Sequence, residues 1–313
     1  MIRDSKLRAR FVLLTVAVCL FVPVAQSLAG TYYVDPGKGS DSGPGSEEQP
    51  FKSIAKAMAT VDGIGGTVHL SPASGPYYES LMLGKGGLPD DPVIIEGHNS
   101  IINLGSDVTS GPWTKTENGW ILELKVVTNP RFYVATPVFV NGLPVYCDHP
   151  KGRGTPAWHG GSVRYDEQGR LILVFPRGLS PSNSVVVLTG KSDYMNAGVG
   201  FSNASNVIVR DLTSAFAGND GFNFHGNGTN VLLERCKGIF NGDQGMSSHE
   251  GYQIEARDCE IAFDGSQGAG IIDINGSITT YKNCRVHQNR GAGFQLQGKM
   301  HVLENIVVFG NGS

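Results

Sequence analysis

Short stretches that alternate apolar and polar residues recur near the C-terminus at a nearly constant interval. They read VIVRDL, VLLERC, IEARDC, TTYKNC and HVLENI, and they end at Leu212, Cys236, Cys259, Cys284 and Ile306. The intervals between these anchors are 24, 23, 25 and 22 residues. A period of about 20–30 residues, with short strands and no helical pattern, is typical of a solenoid whose coils bury their apolar faces by stacking.

The length of the repeat predicts the cross-section of the coil. About 23 residues make three short strands with their turns, which is too long for a left-handed coil of about eighteen residues. We therefore predict an all-β fold, a right-handed parallel β-helix, in which residues one period apart stack ~4.8 Å from each other. Three of the anchors, Cys236, Cys259 and Cys284, are predicted to form one inward column.

Three further columns follow from the same alignment. A turn column that suits Asn and Asp, which tolerate left-handed backbone, contains Asn241, Asp264, Asn289 and Asn311. A glycine column at a second bend contains Gly221, Gly245, Gly268 and Gly293. An aromatic column, expected inside the coil and interrupted by Gln288, contains Phe216, Phe240 and Phe263.

The segment from Thr31 to Val61 is predicted to cap the first coil. Apolar residues at helical spacing, from Phe51 through Ile54 and Met58 to Val61, indicate a short amphipathic helix that covers the open strand edges. The stretches TVHLSP, YYESLML, PVIIEG and SIINL that follow are predicted to be strands of the earliest coils.

Residues 31–104 carry a family resemblance. The run YYVDPGKGSDSGPGSEEQPFKSIAKA, followed by GGTVHL and PYYES, resembles the opening of secreted pectate-lyase-like β-helix proteins, which include bacterial polysaccharide lyases and β-helix glycoside hydrolases. The resemblance implies the fold and a polysaccharide partner. It does not select an activity, because this superfamily contains lyases, hydrolases, epimerases and non-catalytic adhesins.

Residues 112–190 lack the coil period and are predicted to form a β-rich insert with a hairpin turn at Asp166–Gly169. It resembles the small insert of some β-helix glycoside hydrolases. Trp113, Trp120 and Trp158 fall in this region, and we expect them to form the core of the insert rather than a sugar-stacking surface. The predicted division is therefore 1–29, 30–111, 112–190 and 191–313.

The N-terminus has the pattern of a secretory signal: four basic residues, an apolar run from Phe11 to Val24, and Ser27-Leu28-Ala29 before a cleavage site. Its removal would take the net charge from −3 to −6. A mildly acidic secreted protein is not expected to bind nucleic acid, and the apolar run is too short to span a membrane. The pattern does not indicate an oligomeric state.

Composition agrees with the predicted fold, since the 43 glycines are about twice the usual frequency. The stacked cysteines are expected to be small core residues rather than disulfides, because their Cβ vectors would point the same way. The absence of CxxC and HxxxH spacing in the sequence argues against a structural zinc site. No cofactor is expected, except for a possible Ca²⁺.

Candidate chemistry lies on the strand after the aligned glycines. Alternation predicts one polar strip on the outer face. Its candidate catalytic residues are Asp220, Asp243, Asp273, His225 and His249. Its candidate substrate-binding residues are Asn223, Glu250, Gln295 and Gln297. His225 and His249 are 24 residues apart and are expected to be neighbours.

Three functions fit this strip. Glycoside hydrolysis requires two carboxyl groups, which adjacent coils could supply, and it is our first choice because of the carboxylates and the insert. A polysaccharide lyase would need a base and a cation, such as Ca²⁺ held by Asp220 and Asp243. A non-catalytic surface protein that binds glycan is the third. The sequence stops at the fifth turn with no visible cap. We therefore expect a fragment, a premature stop, or a last coil that pairs with another protein; in the first two cases functional residues would be missing as well.

Overall fold

The computed structural model describes residues 29–125, 138–145, 160–190, 197–265 and 268–312. One helix, α1, spans Ile54–Val61, and a short 3-10 helix spans Pro72–Ser74. The strands before the insert are β1 Gly30–Val34, β2 Gly66–Leu70, β3 Leu81–Leu83 and β4 Val93–Asn103. The strands of the insert are β5 Ser106–Asp107, β6 Trp113–Thr116, β7 Gly119–Lys125, β8 Val138–Val140, β9 Leu143–Val145, β10 Ser162–Tyr165, β11 Arg170–Val174 and β12 Val186–Leu188.

The later coils contain the remaining strands. These are β13 Val199–Ser202, β14 Val207–Ala215, β15 Phe222–His225, β16 Val231–Glu234, β17 Lys237–Ile239, β18 Met246–Ser248, β19 Gln253–Arg257, β20 Glu260–Ala262, β21 Ala269–Asp273, β22 Ile278–Lys282, β23 Arg285–His287, β24 Ala292–Leu296, β25 Met300–Glu304 and β26 Val307–Phe309.

These strands form a parallel β-helix with three faces, which confirms the predicted fold. One face is a six-stranded parallel sheet in the order β3-β13-β15-β18-β21-β24. The other two faces are stacks that share the long strands β4 and β14: β16-β19-β22-β25 continues the first half of β14, and β17-β20-β23-β26 continues its second half. Long-range stacking thus connects residues that are about one period apart in sequence.

The corner between those two faces is a column of left-handed residues. In β14 the bend lies at Asp211, whose φ is 50°, and the equivalent residues Arg235, Asp258, Asn283 and Asn305 have φ values of 52–54°. Each precedes an anchor of the repeat, so the anchor side chain turns inward. Cys236, Cys259 and Cys284 are buried and carry free thiols, as predicted. Cys147 lies outside the described residues.

The turn column of Asn and Asp is also confirmed, and hydrogen bonds from backbone N–H groups to side-chain oxygens hold it together. Asn241 Oδ1 accepts from the Ala217 N–H at 3.1 Å, and Asp264 Oδ1 accepts from the Asn241 N–H at 2.8 Å. Asn289 Oδ1 accepts from the Asp264 N–H, and Asn311 Oδ1 accepts from the Asn289 N–H, both at 3.0 Å. Each side chain therefore satisfies a buried backbone donor of the preceding coil.

The glycine column packs against this turn column and needs one correction. A Cβ at Gly221 would lie 2.7 Å from Asn241 Nδ2, and a Cβ at Gly245 would lie 2.3 Å from Asp264 Oδ2. The third member is Gly270, where a Cβ would lie 2.4 Å from Asn289 Nδ2, and not Gly268 as predicted. The prediction was wrong because this coil has 25 residues between its anchors, which moves the equivalent position along the chain.

The phenylalanine column lies on the outside of the coil, contrary to the prediction. Phe216, Phe240 and Phe263 stack with centroid distances of 5.4 and 5.0 Å, but they are only partly buried and have positive φ. The left-handed backbone turns their side chains away from the interior. Phe139 of the insert, which is fully buried, meets Phe216 and Phe240 edge-on at 5.2 and 5.3 Å. The column is therefore the surface on which the insert packs.

The insert consists of two antiparallel four-stranded sheets, β10-β11-β7-β6 and β5-β12-β8-β9. They enclose a second apolar core, separate from the core of the coils. Trp113 and Trp120 pack against this second core and meet Phe175 edge-on at 5.8 and 6.5 Å. This confirms the structural role predicted for these two tryptophans, while Trp158 lies outside the described residues.

Helix α1 covers the first coil, as its amphipathic pattern predicts. Ser53 caps its N-terminus by accepting from the Lys56 N–H at 3.1 Å, and Glu79 accepts from the Ile54 N–H at 2.9 Å. Ile54 and Val61 are fully buried in the core of the coils. Within the ranges given above, none of the helical segments has the length and hydropathy to cross a membrane. The predicted secretory signal falls almost entirely on residues 1–28, which are outside those ranges.

Candidate functional site

The candidate residues lie on the outer side of the six-stranded sheet, where strand pairing sets their order. One outward column runs through Gly200, Asn223, Ser247, Ile272 and Gln295. The next outward position pairs Ser202 with His225 and then continues to His249. The inward positions that alternate with these columns belong to the core. In β15 they are Phe222 and Phe224, which are fully buried. Alternation along each strand thus places Asn223 and His225 outward, as predicted.

His225 and His249 are stacked neighbours, which confirms the predicted coil-to-coil contact. Their ring centroids are 4.0 Å apart and the planes differ by 15°. Glu250 Oε2 lies 3.2 Å from His225 Nδ1 and accepts from the Gly226 N–H at 2.9 Å. Burial, followed by the neighbouring His225, lowers the pKa of His249 to about 4. At neutral pH the His249 ring is therefore neutral, which allows the close stacking.

Asp220 lies behind these rings and is 2% exposed. Its Oδ2 accepts from Asn223 Nδ2 at 2.7 Å and from Ser247 Oγ at 2.6 Å, and its Oδ1 accepts from the Gln244 N–H at 3.1 Å. Burial, followed by the negative charge of Asp243, raises the pKa of Asp220 to about 8. The carboxyl group is therefore expected to hold a proton at neutral pH.

Asp243 lies on the next coil, at the position equivalent to Asn219, and is partly exposed. Its Oδ1 accepts a hydrogen bond from Gln244 Nε2. Its charge acts on Asp220 and also on Asp264, whose pKa is raised mainly by complete burial. Three carboxyl groups on successive coils are thus electrostatically linked, and only Asp243 is open to solvent.

Ser247 connects the buried and exposed parts of the site. Its hydroxyl donates to Asp220 Oδ2 and lies 3.2 Å from His249 Nε2. Because the hydroxyl proton is used toward Asp220, the Ser247 oxygen is left to accept from the ring N–H of His249. The residue was missed from the sequence because a serine in a strand carries no distinctive motif, although its position one coil after Asn223 was available.

Asp273 does not belong to this outer site, and its predicted outward orientation was wrong. It pairs with Ser248 in the inward column and is fully buried. Tyr281 Oη donates to both carboxyl oxygens at 3.0 Å, and Thr279 Oγ1 donates to Oδ2 at 2.8 Å. Burial raises the pKa of Asp273 to about 7. It is the last residue of β21, one position after the outward Ile272, and a shift of one residue reverses the face of a side chain.

His301 completes this internal polar cluster. Its Nε2 accepts from the Gly298 N–H at 2.9 Å, so the ring proton lies on Nδ1, which is 2.8 Å from Thr279 Oγ1. The chain of donors therefore runs from His301 through Thr279 to the Asp273 carboxyl. This arrangement stabilises a buried carboxyl group inside the coil.

Gln295 and Gln297 lie in the predicted outward columns but away from the histidines. Gln295 Nε2 donates to Gln297 Oε1 at 3.1 Å. Ile272 lies between Ser247 and Gln295 in the register, so the separation is two strand spacings, or roughly 10 Å. The structure does not bring these glutamines into contact with the Asp220 cluster.

His225, His249 and Glu250 are also the residues best suited to hold a metal ion. Among the described residues they are the only group of three such side chains whose ligand atoms lie within 4.8 Å of one another. A zinc ion would bind a ring nitrogen at about 2.0–2.1 Å along its lone pair, in the plane of the ring. Two nearly parallel rings 4.0 Å apart direct their lone pairs along separate planes. The observed arrangement is a stack of two rings, one of which hydrogen-bonds to Glu250 and the other to Ser247.

Comparison with known proteins supports the fold class. A family profile described as right handed beta helix region matches residues 181–311. The profile covers less than half of the chain and agrees with the parallel β-helix that the strands form. A comparison with curated protein sequences finds no significant match.

Solved structures of similar fold include carbohydrate-active proteins. The complex of XylC with xylose superposes with a TM-score of 0.50 at 14% identity, over 89% of this chain and 65% of XylC. A glycoside hydrolase superposes with a TM-score of 0.41 at 10% identity, over 89% of this chain and 96% of its own. A rhamnogalacturonan lyase superposes with a TM-score of 0.34 at 13% identity, over 88% of this chain and 62% of the lyase. At these identities the likeness concerns the fold. This chain spans about two thirds of XylC.

Proposed function

We propose that this protein is a carbohydrate-active enzyme, and specifically a glycoside hydrolase whose acid–base chemistry is carried by Asp220 and Asp243. The observation that supports this is the carboxyl pair on adjacent coils. Asp220 is buried and keeps its proton because of burial and the neighbouring charge, while Asp243 is partly exposed. One proton held by two carboxyl groups provides the acid and the base that glycoside hydrolysis requires.

The surrounding residues have supporting roles in this proposal. Asn223 and Ser247 each donate to Asp220 Oδ2 and fix the orientation of the carboxyl group. His225, His249 and Glu250 form the half-exposed surface beside it, where sugar hydroxyl groups would bind. The predicted secretory signal also agrees with a polymeric substrate outside the cell.

A Ca²⁺-dependent polysaccharide lyase is the alternative reaction on the same face. It would need several oxygen ligands for the cation. Both oxygens of Asp220 already accept hydrogen bonds from protein donors, so this carboxyl group is poorly prepared as a calcium ligand. The geometry therefore favours hydrolysis.

The test is incubation of the chain with plant, algal and bacterial polysaccharides, with and without Ca²⁺. We expect new reducing ends without the absorbance of unsaturated uronates. We also expect Asp220→Asn and Asp243→Asn to reduce kcat by about 10²–10⁴, the usual contribution of general acid–base catalysis.

Asp258→Asn is the matched control, because this exposed aspartate lies at a corner away from the site and should leave the rate unchanged. Unsaturated products would show that the enzyme is a lyase. No cleavage of any substrate, with intact folding, would favour a glycan-binding protein and contradict the proposal.

A further inference from the structure

A cavity of about 240 Å³ lies on the outer side of the six-stranded sheet, and one of its lining residues, Asn223, donates a hydrogen bond to Asp220. Its apolar lining includes Met82, Ala197 and Gly200, and its polar lining includes Asn223 and His225. Pockets for drug-sized ligands measure about 300–1,000 Å³. A cavity of this size is therefore suited to a single small ring.

One wall of the cavity is a glycine at an outward position of the sheet. Gly200 pairs with Met82 on one side and with Asn223 on the other. A Cβ at Gly200 would lie 2.6 Å from Met82 Cε, so a larger residue here would displace the end of the Met82 side chain. The φ of Gly200 is not in the left-handed region, so the backbone does not require glycine here.

The polar side of the cavity contains an acceptor without a partner. Asn223 is 6% exposed, and its Nδ2 donates to Asp220 Oδ2 at 2.7 Å. This contact orients the amide, and Asn223 Oδ1 has no hydrogen-bond partner in the described structure. A buried acceptor is costly to leave unpaired. A ligand that donates a hydrogen bond to this oxygen would remove the cost.

We infer that this cavity is a subsite for one sugar residue that donates a hydroxyl or amide hydrogen to Asn223 Oδ1 and places a methyl or acetyl group against Met82 and Gly200. The inference rests on the proposed function and specifies its substrate class as 6-deoxy or acetylated sugars. An apolar group of one or two carbons in a fitted pocket typically contributes 10–200-fold in discrimination. Burial of the methyl group is the physical source of this preference.

Binding measured without turnover tests the inference. Saturation-transfer NMR titrations would compare matched pairs: L-fucose with L-galactose, L-rhamnose with L-mannose, and N-acetylglucosamine with glucose. We expect at least one methyl- or acetyl-bearing sugar to bind at least tenfold more tightly than its partner. Equal affinity within every pair, or no binding of any of the six sugars, would overturn the inference.

Gly200→Val tests the location of the site. Valine suits a strand and would displace the Met82 side chain from the wall of the cavity, so we expect the preference to fall to less than twofold. Thr280→Val, an outward substitution on another face of the coils, is the matched control and should keep the preference. An unchanged preference in Gly200→Val, with circular dichroism like that of the parent, would show that the cavity is not the subsite.

The two proposals fail separately. If the preference is present but no polysaccharide is cleaved, the subsite stands and the hydrolase proposal is wrong. If polysaccharide is cleaved through Asp220 and Asp243 without any such preference, the hydrolase proposal stands and the subsite inference is wrong.

Discussion

Asp264 is the one acidic residue in a turn column that is otherwise asparagine, and Asp264→Asn is expected to stabilise the protein. In the asparagine positions Nδ2 donates twice. Asn289 Nδ2 donates to Asn311 Oδ1 at 2.9 Å and to the Ile261 carbonyl at 3.4 Å, and Asn241 Nδ2 donates to the equivalent Ser214 carbonyl at 3.4 Å. Asp264 has Oδ2 in place of this donor, and that atom has no partner in the described structure.

The register identifies what an asparagine would bind at this position. Gly238 pairs with Ser214 and with Ile261, so its carbonyl is the equivalent acceptor. Asn289 Oδ1, which already accepts from the Asp264 N–H, is the side-chain acceptor. An amide donates two hydrogen bonds where a protonated carboxyl group can donate one. The substitution therefore adds one bond of about 0.5–1.5 kcal/mol to the free energy of unfolding.

The pH dependence gives a second signature. Burial raises the pKa of Asp264 well above 3.8, so the folded state holds a proton that the unfolded state releases. The unfolded state then binds fewer protons, and the free energy of unfolding falls as pH rises above about 4. The stabilisation by Asp264→Asn should therefore be smallest at pH 3–4 and should grow toward neutral pH.

Urea titrations followed by circular dichroism from pH 4 to 8 would measure this difference. Asn241→Asp is the reverse substitution at an equivalent position and should destabilise the protein, increasingly with pH. Asp258→Asn, at an exposed corner, should change little. A lower stability of Asp264→Asn at pH 7, or a difference independent of pH, would refute the reasoning about this column.

Three other predictions follow from the site and the core. Because Asp220 has a pKa of about 8, the rate of hydrolysis should fall above pH 8 as the carboxyl pair loses its proton. A pH profile of kcat would show this fall, and a kcat that does not change up to pH 10 would contradict the assigned acid. Asp273 has a pKa of about 7, so its contribution to stability is present below about pH 4 and is lost as pH rises through 7; Asp273→Asn should flatten the stability profile between these values in urea titrations, and an unchanged slope would count against the assignment. Phe139→Ala should loosen the insert at a cost of about 3–5 kcal/mol and expose it to limited proteolysis, whereas Leu124→Ala, which is 45% exposed, should not.

The period of the repeat was enough to predict the β-helix, because stacking coils is the way for short amphipathic strands of this spacing to bury their apolar faces. It also predicted the cysteine column, the asparagine column and the contact between His225 and His249. These features depend only on which residues are one coil apart, and that separation can be counted along the chain.

The direction of individual side chains was decided by the tertiary structure. Asp273 faces inward because of its position in its strand, and the phenylalanine column faces outward because its backbone is left-handed. Counting along the chain cannot detect either effect, since one residue more or one positive φ reverses a face. The hydrogen bonds of Ser247 and the unpaired oxygen of Asn223 likewise arise only when neighbouring coils meet. The stacking distance is a property of the repeat, whereas the orientation and pKa of each group depend on burial and neighbours in the folded protein.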